Sequence, residues 1–132
     1  MKRFLGWLFA PSRQPRTSLS IIAWWEIRRL PFNLIIGTYG GLALSLFYWA
    51  IQASGPLKPG EDAVEPIGLL VAPFAINVLY SLGWLVEIQL PSSPWLGPLL
   101  LKLGLGLGLL LITLPAAFWL GYRLMQLVGI TP

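Results

Sequence analysis

Residues 99–121 have the sequence LLLKLGLGLGLLLITLPAAFWLG, in which Lys102 is the only charged side chain. A transmembrane helix needs about 20 consecutive, mostly apolar residues to cross the hydrocarbon core of a bilayer. The alternation of leucine and glycine is also compatible with a strand, but the uninterrupted apolar setting favours a helix. We therefore expect residues 99–121 to form a membrane-spanning helix.

Two further segments, residues 34–53 and residues 67–90, have a similar length and composition. A loop at 54–66, rich in proline, glycine and acidic residues, separates these two segments. The linker at 91–98 is short, so the helices on either side of it should form an antiparallel hairpin. The sequence thus predicts an all-α membrane protein with three transmembrane helices.

The overall composition agrees with this fold class. Of the 132 residues, 56% are hydrophobic and 11% are charged, and the mean hydropathy is +0.73. A soluble domain usually carries about 25% charged residues. These values exclude a soluble enzyme, a secreted disulfide scaffold and a disordered regulator.

The chain contains neither cysteine nor histidine. Disulfides, thiolate nucleophiles, iron–sulfur clusters and Ser-His-Asp catalysis are therefore excluded, and the commonest metal ligand is missing. Three of the five acidic residues fall in the loop at 54–66, which is typical of a solvated turn. We expect no enzymatic activity, no metal and no intrinsic cofactor, which leaves a lipid or a pigment as the candidate bound molecule.

Residues 1–33 form a basic N-terminal part. Lys2 and Arg3 precede a short apolar stretch that ends at Pro11 without a signal-peptidase motif. We interpret this start as an uncleaved amphipathic arm in the membrane interface. The alternative is a disordered basic tail.

A short helix is expected from Ser18 to Leu30, where Trp24 and Trp25 suit the membrane–water interface. Pro31 follows, and proline cannot donate a backbone hydrogen bond to the preceding turn. The sequence therefore predicts a break at Pro31, or the start of a new helix there.

The basic residues predict the orientation. Six of the nine precede the first span, and cytoplasmic segments of membrane proteins carry an excess of lysine and arginine. The N-terminus and the turn at 91–98 should thus be cytoplasmic, and the tail at 122–132 external. We expect a multi-pass protein of the inner (cytoplasmic) membrane. Because the basic residues flank apolar spans, nucleic acid is not an expected partner.

Small residues line one or two faces of each predicted span. Such faces let a second helix approach closely, and close packing drives helix association in membranes. Three helices cannot cover so many small faces among themselves, so the partners we expect are membrane lipids and other membrane-protein subunits. The predicted helix-packing residues are Gly37, Gly41, Ser45, Gly68, Ala72, Ala75, Gly83, Gly104 and Gly108.

Asn77 falls near the middle of the second span. An amide in hydrocarbon is costly unless it is hydrogen-bonded. We favour a structural role for Asn77 as a bridge between helices over a role in a permeation path or ligand site.

Charged residues near the predicted inner interface also need partners. Glu87 and Lys102 lie at similar depths in the predicted hairpin, so we predict that they pair. Glu26 lies on an apolar arc, where Arg29 or Lys102 is its expected partner. The alternative is that all four charges extend to water.

Two segments, WWEIRRLPFN at 24–33 and NVLYSLGW at 77–84, resemble patterns of small multi-span inner-membrane proteins of bacteria whose activity is unknown. The patterns are roughly W-x-E-x-R-R-L-x-x-N and N-x-x-Y-x-x-G-W. The resemblance implies a bacterial membrane protein and no particular activity. It places Asn33, Asn77 and the cluster of Glu26, Arg28 and Arg29 among the positions of interest.

The sequence favours a non-enzymatic accessory subunit of a larger membrane complex, with respiratory and photosynthetic complexes as candidate hosts. The alternative is a small homo-oligomeric transporter or channel. Its path would be lined by Asn77, by the carbonyls that Pro73 and Pro115 free, and by the predicted pair of Glu87 and Lys102. A lipid-modifying enzyme is least favoured, because no nucleophile–base pair is discernible.

Overall fold

The computed structural model describes residues 2–11, 16–53, 66–90 and 92–129, with the side chains of residues 53 and 66–70 outside the described set. Within these ranges the chain forms four helices and no strand. The helices are α1 (Lys2–Leu8), α2 (Ser18–Ala53), α3 (Pro66–Gln89) and α4 (Leu96–Leu127). The predicted loop at 54–66, apart from its last residue, and the surroundings of Gly68 lie outside the described residues.

Three of the four helices are long and apolar enough to cross a membrane. The 32 residues of α4 extend over about 48 Å at the α-helical rise, more than the hydrocarbon core of a bilayer. The second and third predicted spans agree closely with α3 and α4, although α4 continues into the predicted tail at 122–132. The prediction of an all-helical, multi-pass membrane protein is confirmed.

The predicted break at Pro31 is wrong, because α2 runs without interruption from Ser18 to Ala53. Proline removes one backbone hydrogen bond and usually kinks a helix. Here Trp25 before the proline and Phe32 and Ile36 after it all belong to one buried cluster. Packing on both sides of Pro31 therefore keeps one helix where the sequence predicts two.

Helices α2 and α4 are parallel, and α3 is antiparallel to both. Three contacts give the register of α2 against α4: Ile36 beside Gly108, the Tyr39 hydroxyl 2.6 Å from the Thr113 hydroxyl, and the Phe47 ring against Trp119. The hairpin of α3 and α4 has the arrangement that the short linker predicts.

The buried core lies at the end of the bundle where α1 is docked. Its members come from all four helices, and aromatic side chains supply half of them. They are Leu8, Ile21, Trp24, Trp25, Phe32, Ile36, Tyr80 and Leu101. A second set of buried side chains lies farther along α2, at Ala43, Phe47, Ala50 and Ile51.

Candidate functional site

A buried ion pair joins the end of α3 to the segment before α2. Glu87 accepts a hydrogen bond from the Arg16 guanidinium, and the two side chains are 1% and 3% exposed. The Trp25 indole N–H donates to the second carboxylate oxygen at 2.6 Å. The predicted pair between Glu87 and Lys102 is therefore wrong. The Lys102 ammonium instead lies 5.2 Å from the centre of the Phe9 ring.

The starting point of α4 explains why Lys102 is not the partner. This helix begins at Leu96, so Gly97 lies directly against the Glu87 carboxylate, where a Cβ atom would collide with it. Lys102 lies five residues after Gly97 in α4, which is about 7.5 Å farther along the helix axis. Arg16 precedes α2 and lies outside every predicted span. The predicted depths of residues in the spans therefore gave no indication that Arg16 would pair with Glu87.

Trp25 is the central side chain of this cluster. Its indole ring packs edge-on against Tyr80, with ring centres 5.1 Å apart, and lies directly over Gly83. The Tyr80 hydroxyl donates a hydrogen bond to the Trp25 carbonyl. The sequence suggested an interfacial position for Trp25, whereas the structure buries it between α2 and α3. No periodicity in the sequence indicates that the small face of α3 at Gly83 would receive this ring.

Arg28 fastens α1 to α2. Its guanidinium donates to the carbonyls of Leu8 and Trp7, both at 2.8 Å, and to that of Trp24 at 3.1 Å. The last carbonyls of a helix have no partner within the helix, and a cation there also complements the helix dipole. The Trp24 indole N–H donates to the Ala10 carbonyl at 2.9 Å. These contacts fix the C-terminal end of α1 beside the start of α2.

A ladder of polar side chains joins α2 to α3. Asn33 and Asn77 exchange hydrogen bonds at 3.1 and 3.3 Å, and Asn77 also donates to the carbonyl of Pro73 at 2.9 Å. One turn away, Arg29 donates to the Ser81 hydroxyl at 2.9 Å. The amide of Asn77 therefore bridges two helices in this structure, with Asn33 as its partner.

The Glu26 carboxylate accepts from Arg29 at 2.8 Å. The sequence predicts Arg29 or Lys102 as the partner of Glu26, and the partner in the structure is Arg29, which is closer in the chain. Both side chains remain partly exposed, at 45% and 30%. The pair is thus a surface contact along α2, unlike the buried pair at Glu87.

Two apolar grooves open between the helices. The larger, of about 750 Å³, is lined by α2, α3 and α4, with Asn33 and Asn77 at one end. The second, of about 500 Å³, lies between α3 and α4 and reaches Trp25 and Phe32 of α2, at the end of the bundle that holds Glu87. The two share Ala72, Ile76 and Ile112 in their walls. The small residues and prolines of the larger groove are Gly37, Gly40, Gly41, Ala43, Ala72, Pro73, Pro115 and Ala116.

The predicted helix-packing residues divide into two sets. Gly83 and Gly108 contact side chains of α2. A Cβ atom built at Gly37, Gly41 or Gly104 would meet no atom of the described chain within 4 Å outside the local helix.

Three of the remaining predicted packing positions are exposed, and the fourth, Gly68, lies outside the described side chains. Ala72 and Ala75 are exposed beside the grooves, and Ser45 is exposed and donates to the Gly41 carbonyl at 2.8 Å. Most of the predicted stripe on α2 is therefore left uncovered by the helices of this chain. A second helix or a lipid chain is free to approach it.

The described residues hold no group of three or more side chains that could bind a metal ion. The arrangement consists instead of a tightly bonded end, built on Glu87, Trp25 and Arg28, and of two apolar grooves, of which the larger opens beyond the amide pair. No protein-family model, no curated protein and no solved structure matches this chain.

Proposed function

We propose that this chain is a non-enzymatic accessory subunit whose larger groove receives a transmembrane helix of another subunit. The uncovered glycines of α2 carry the proposal, because no atom of the described chain outside the local helix lies within 4 Å of a Cβ position at Gly37 or Gly41. Small residues at a helix surface let two backbones come close, and this close packing stabilises helix pairs in lipid.

The shape of the groove supports a helix as its occupant. Along α2 its lining extends from Asn33 to Phe47, which is about 21 Å at the helical rise, or about four helical turns. Glycine backbone and the small side chains of Ala72 and Ala116 form much of the wall. The Glu87 cluster holds the three helices together at the other end, so the groove is available without unfolding the chain.

A photocrosslinking residue placed at Gly41 tests this proposal in native membranes. We expect a specific adduct whose mass is not a multiple of the 14.6 kDa chain. Adding Gly37→Leu should reduce the adduct about fivefold or more, since overpacking a fitted contact costs about 1–3 kcal/mol. The control is a crosslinker at Gly121, another position where a Cβ meets no described atom within 4 Å outside its own helix; it should be insensitive to Gly37→Leu.

The same experiment separates the two candidate functions. A homo-oligomeric transporter or channel is the second candidate, and the amide pair of Asn33 and Asn77 in the groove wall favours it. That function predicts an adduct of twice the mass of the chain. The absence of any adduct at Gly41 would contradict both proposals.

We further propose that the N-terminus is cytoplasmic in a bacterial inner membrane, because six of the nine basic residues precede the first span. The chain has no cysteine, so a single introduced cysteine reports one position. In sealed cells, an impermeant maleimide should label Val128→Cys, at the end of α4. It should label Ser92→Cys only after permeabilisation. The reverse pattern would show the opposite orientation.

A further inference from the structure

Positive charge is uncompensated at the end of the molecule where α1 is docked. Both acidic residues in the described ranges are already paired, Glu87 with Arg16 and Glu26 with Arg29. Lys2, Arg3 and Lys102 are all exposed and have no acidic partner in the part of the chain that the structure describes. This end therefore presents a net positive surface.

Lys102 is the most unusual of these cations because of its surroundings. It is exposed on α4 between two outward-facing leucines, Leu99 and Leu103. Its ammonium lies over the ring of Phe9, the residue that follows α1. This contact places the end of α1 beside α4 and forms a corner between the two helices. A cation on an apolar, lipid-facing surface is costly unless a counter-charge or water reaches it.

We propose that this corner between α1 and α4 binds the phosphate of an anionic phospholipid through Lys102. The acyl chains would lie along the exposed leucines of α4, and Lys2 and Arg3 would add to the attraction of the headgroup. A lipid fits better than free phosphate, because the exposed Leu99 and Leu103 place apolar surface beside Lys102 along α4. Basic residues near a membrane surface attract anionic lipids by this electrostatic mechanism.

The proposal needs only the membrane-facing position of this corner and does not depend on a partner subunit. The purified full-length chain can therefore test it in detergent micelles. Native mass spectrometry would count bound lipids after addition of phosphatidylglycerol, which is anionic, or phosphatidylcholine, which is zwitterionic. We expect retention of phosphatidylglycerol to exceed that of phosphatidylcholine.

Lys102→Gln should reduce retention of phosphatidylglycerol about fivefold, the effect of about 1 kcal/mol per basic side chain near a membrane surface. Lys102→Arg should retain it. The matched control is Arg123→Gln, which removes a cation at the opposite end of α4 and should leave retention unchanged. Because Lys102 is exposed, Lys102→Gln should keep the helical circular dichroism of the unaltered chain.

Three results would overturn the proposal. Equal retention of the two lipids would show that charge is not recognised. Retention by Lys102→Gln equal to that of the unaltered chain would place the lipid elsewhere. Displacement of phosphatidylglycerol by inorganic phosphate at millimolar concentration would indicate a site for the free anion. None of these results bears on the crosslink at Gly41, so the two proposals can fail separately.

Discussion

Replacement of Glu87 by alanine should lower the free energy of unfolding by about 3–5 kcal/mol, the usual cost of removing one partner of a buried ion pair. The Arg16 guanidinium would remain at 3% exposure with no counter-charge from Glu87. The indole N–H of Trp25 would lose its acceptor as well. We expect this to be the largest effect of any single substitution in the chain.

Unfolding by SDS in mixed detergent micelles, followed by circular dichroism and tryptophan fluorescence, measures this effect. Glu26→Ala is the matched control, because its pair with Arg29 is partly exposed and should contribute about 0.3–0.5 kcal/mol. The double variant Arg16→Met, Glu87→Leu should be more stable than Glu87→Ala, since both buried charges are removed together and apolar side chains take their place. Equal losses for Glu87→Ala and Glu26→Ala would contradict the buried pair.

The second large effect is expected at Gly83. A Cβ atom there would lie 2.9 Å from two carbon atoms of the Trp25 indole ring, which is itself held by Tyr80 and Glu87. The ring has little room to move, so Gly83→Ala should destabilise the chain by about 1–3 kcal/mol. The near-ultraviolet circular dichroism of the aromatic side chains should change with it.

Gly37→Ala provides the comparison, because the substitution is the same and only the surroundings differ. A Cβ at Gly37 meets no atom of the described chain within 4 Å outside the local helix. Alanine is the better helix former by about 0.5–1 kcal/mol, so the isolated chain should become slightly more stable. If the two glycine substitutions changed the unfolding free energy by the same amount, Gly83 would not be the contact between α2 and α3.

Sequence reasoning succeeds here for properties that are local. The positions of α3 and α4 follow from runs of apolar residues, and a run of this kind needs no knowledge of its neighbours. The need of Asn77 and Glu87 for a polar partner is likewise visible from their places in apolar segments. For both residues this need can be predicted from one side chain, because an amide or a carboxylate without a hydrogen-bond partner is costly in hydrocarbon.

The predictions that are wrong concern features that depend on how two separate segments align with each other. Pro31 lies inside α2 because side chains on both of its flanks belong to the same core. Arg16 replaces Lys102 as the partner of Glu87 because α4 begins at Leu96, which moves Lys102 up the helix and away from the carboxylate. Neither result follows from the composition of one segment alone.

The amino-acid sequence is sufficient to predict a helical membrane protein with three spans and with small-residue faces on its helices. The length of an apolar run and the sizes of its residues are properties of one segment, so they can be known without knowing the fold. The partner of each polar group, and the small faces that no other described helix covers, are known only from the packing of the helices. Those outcomes depend on the rotation and depth of α2, α3 and α4 relative to one another, and close packing, such as that of Trp25 on Gly83, fixes both.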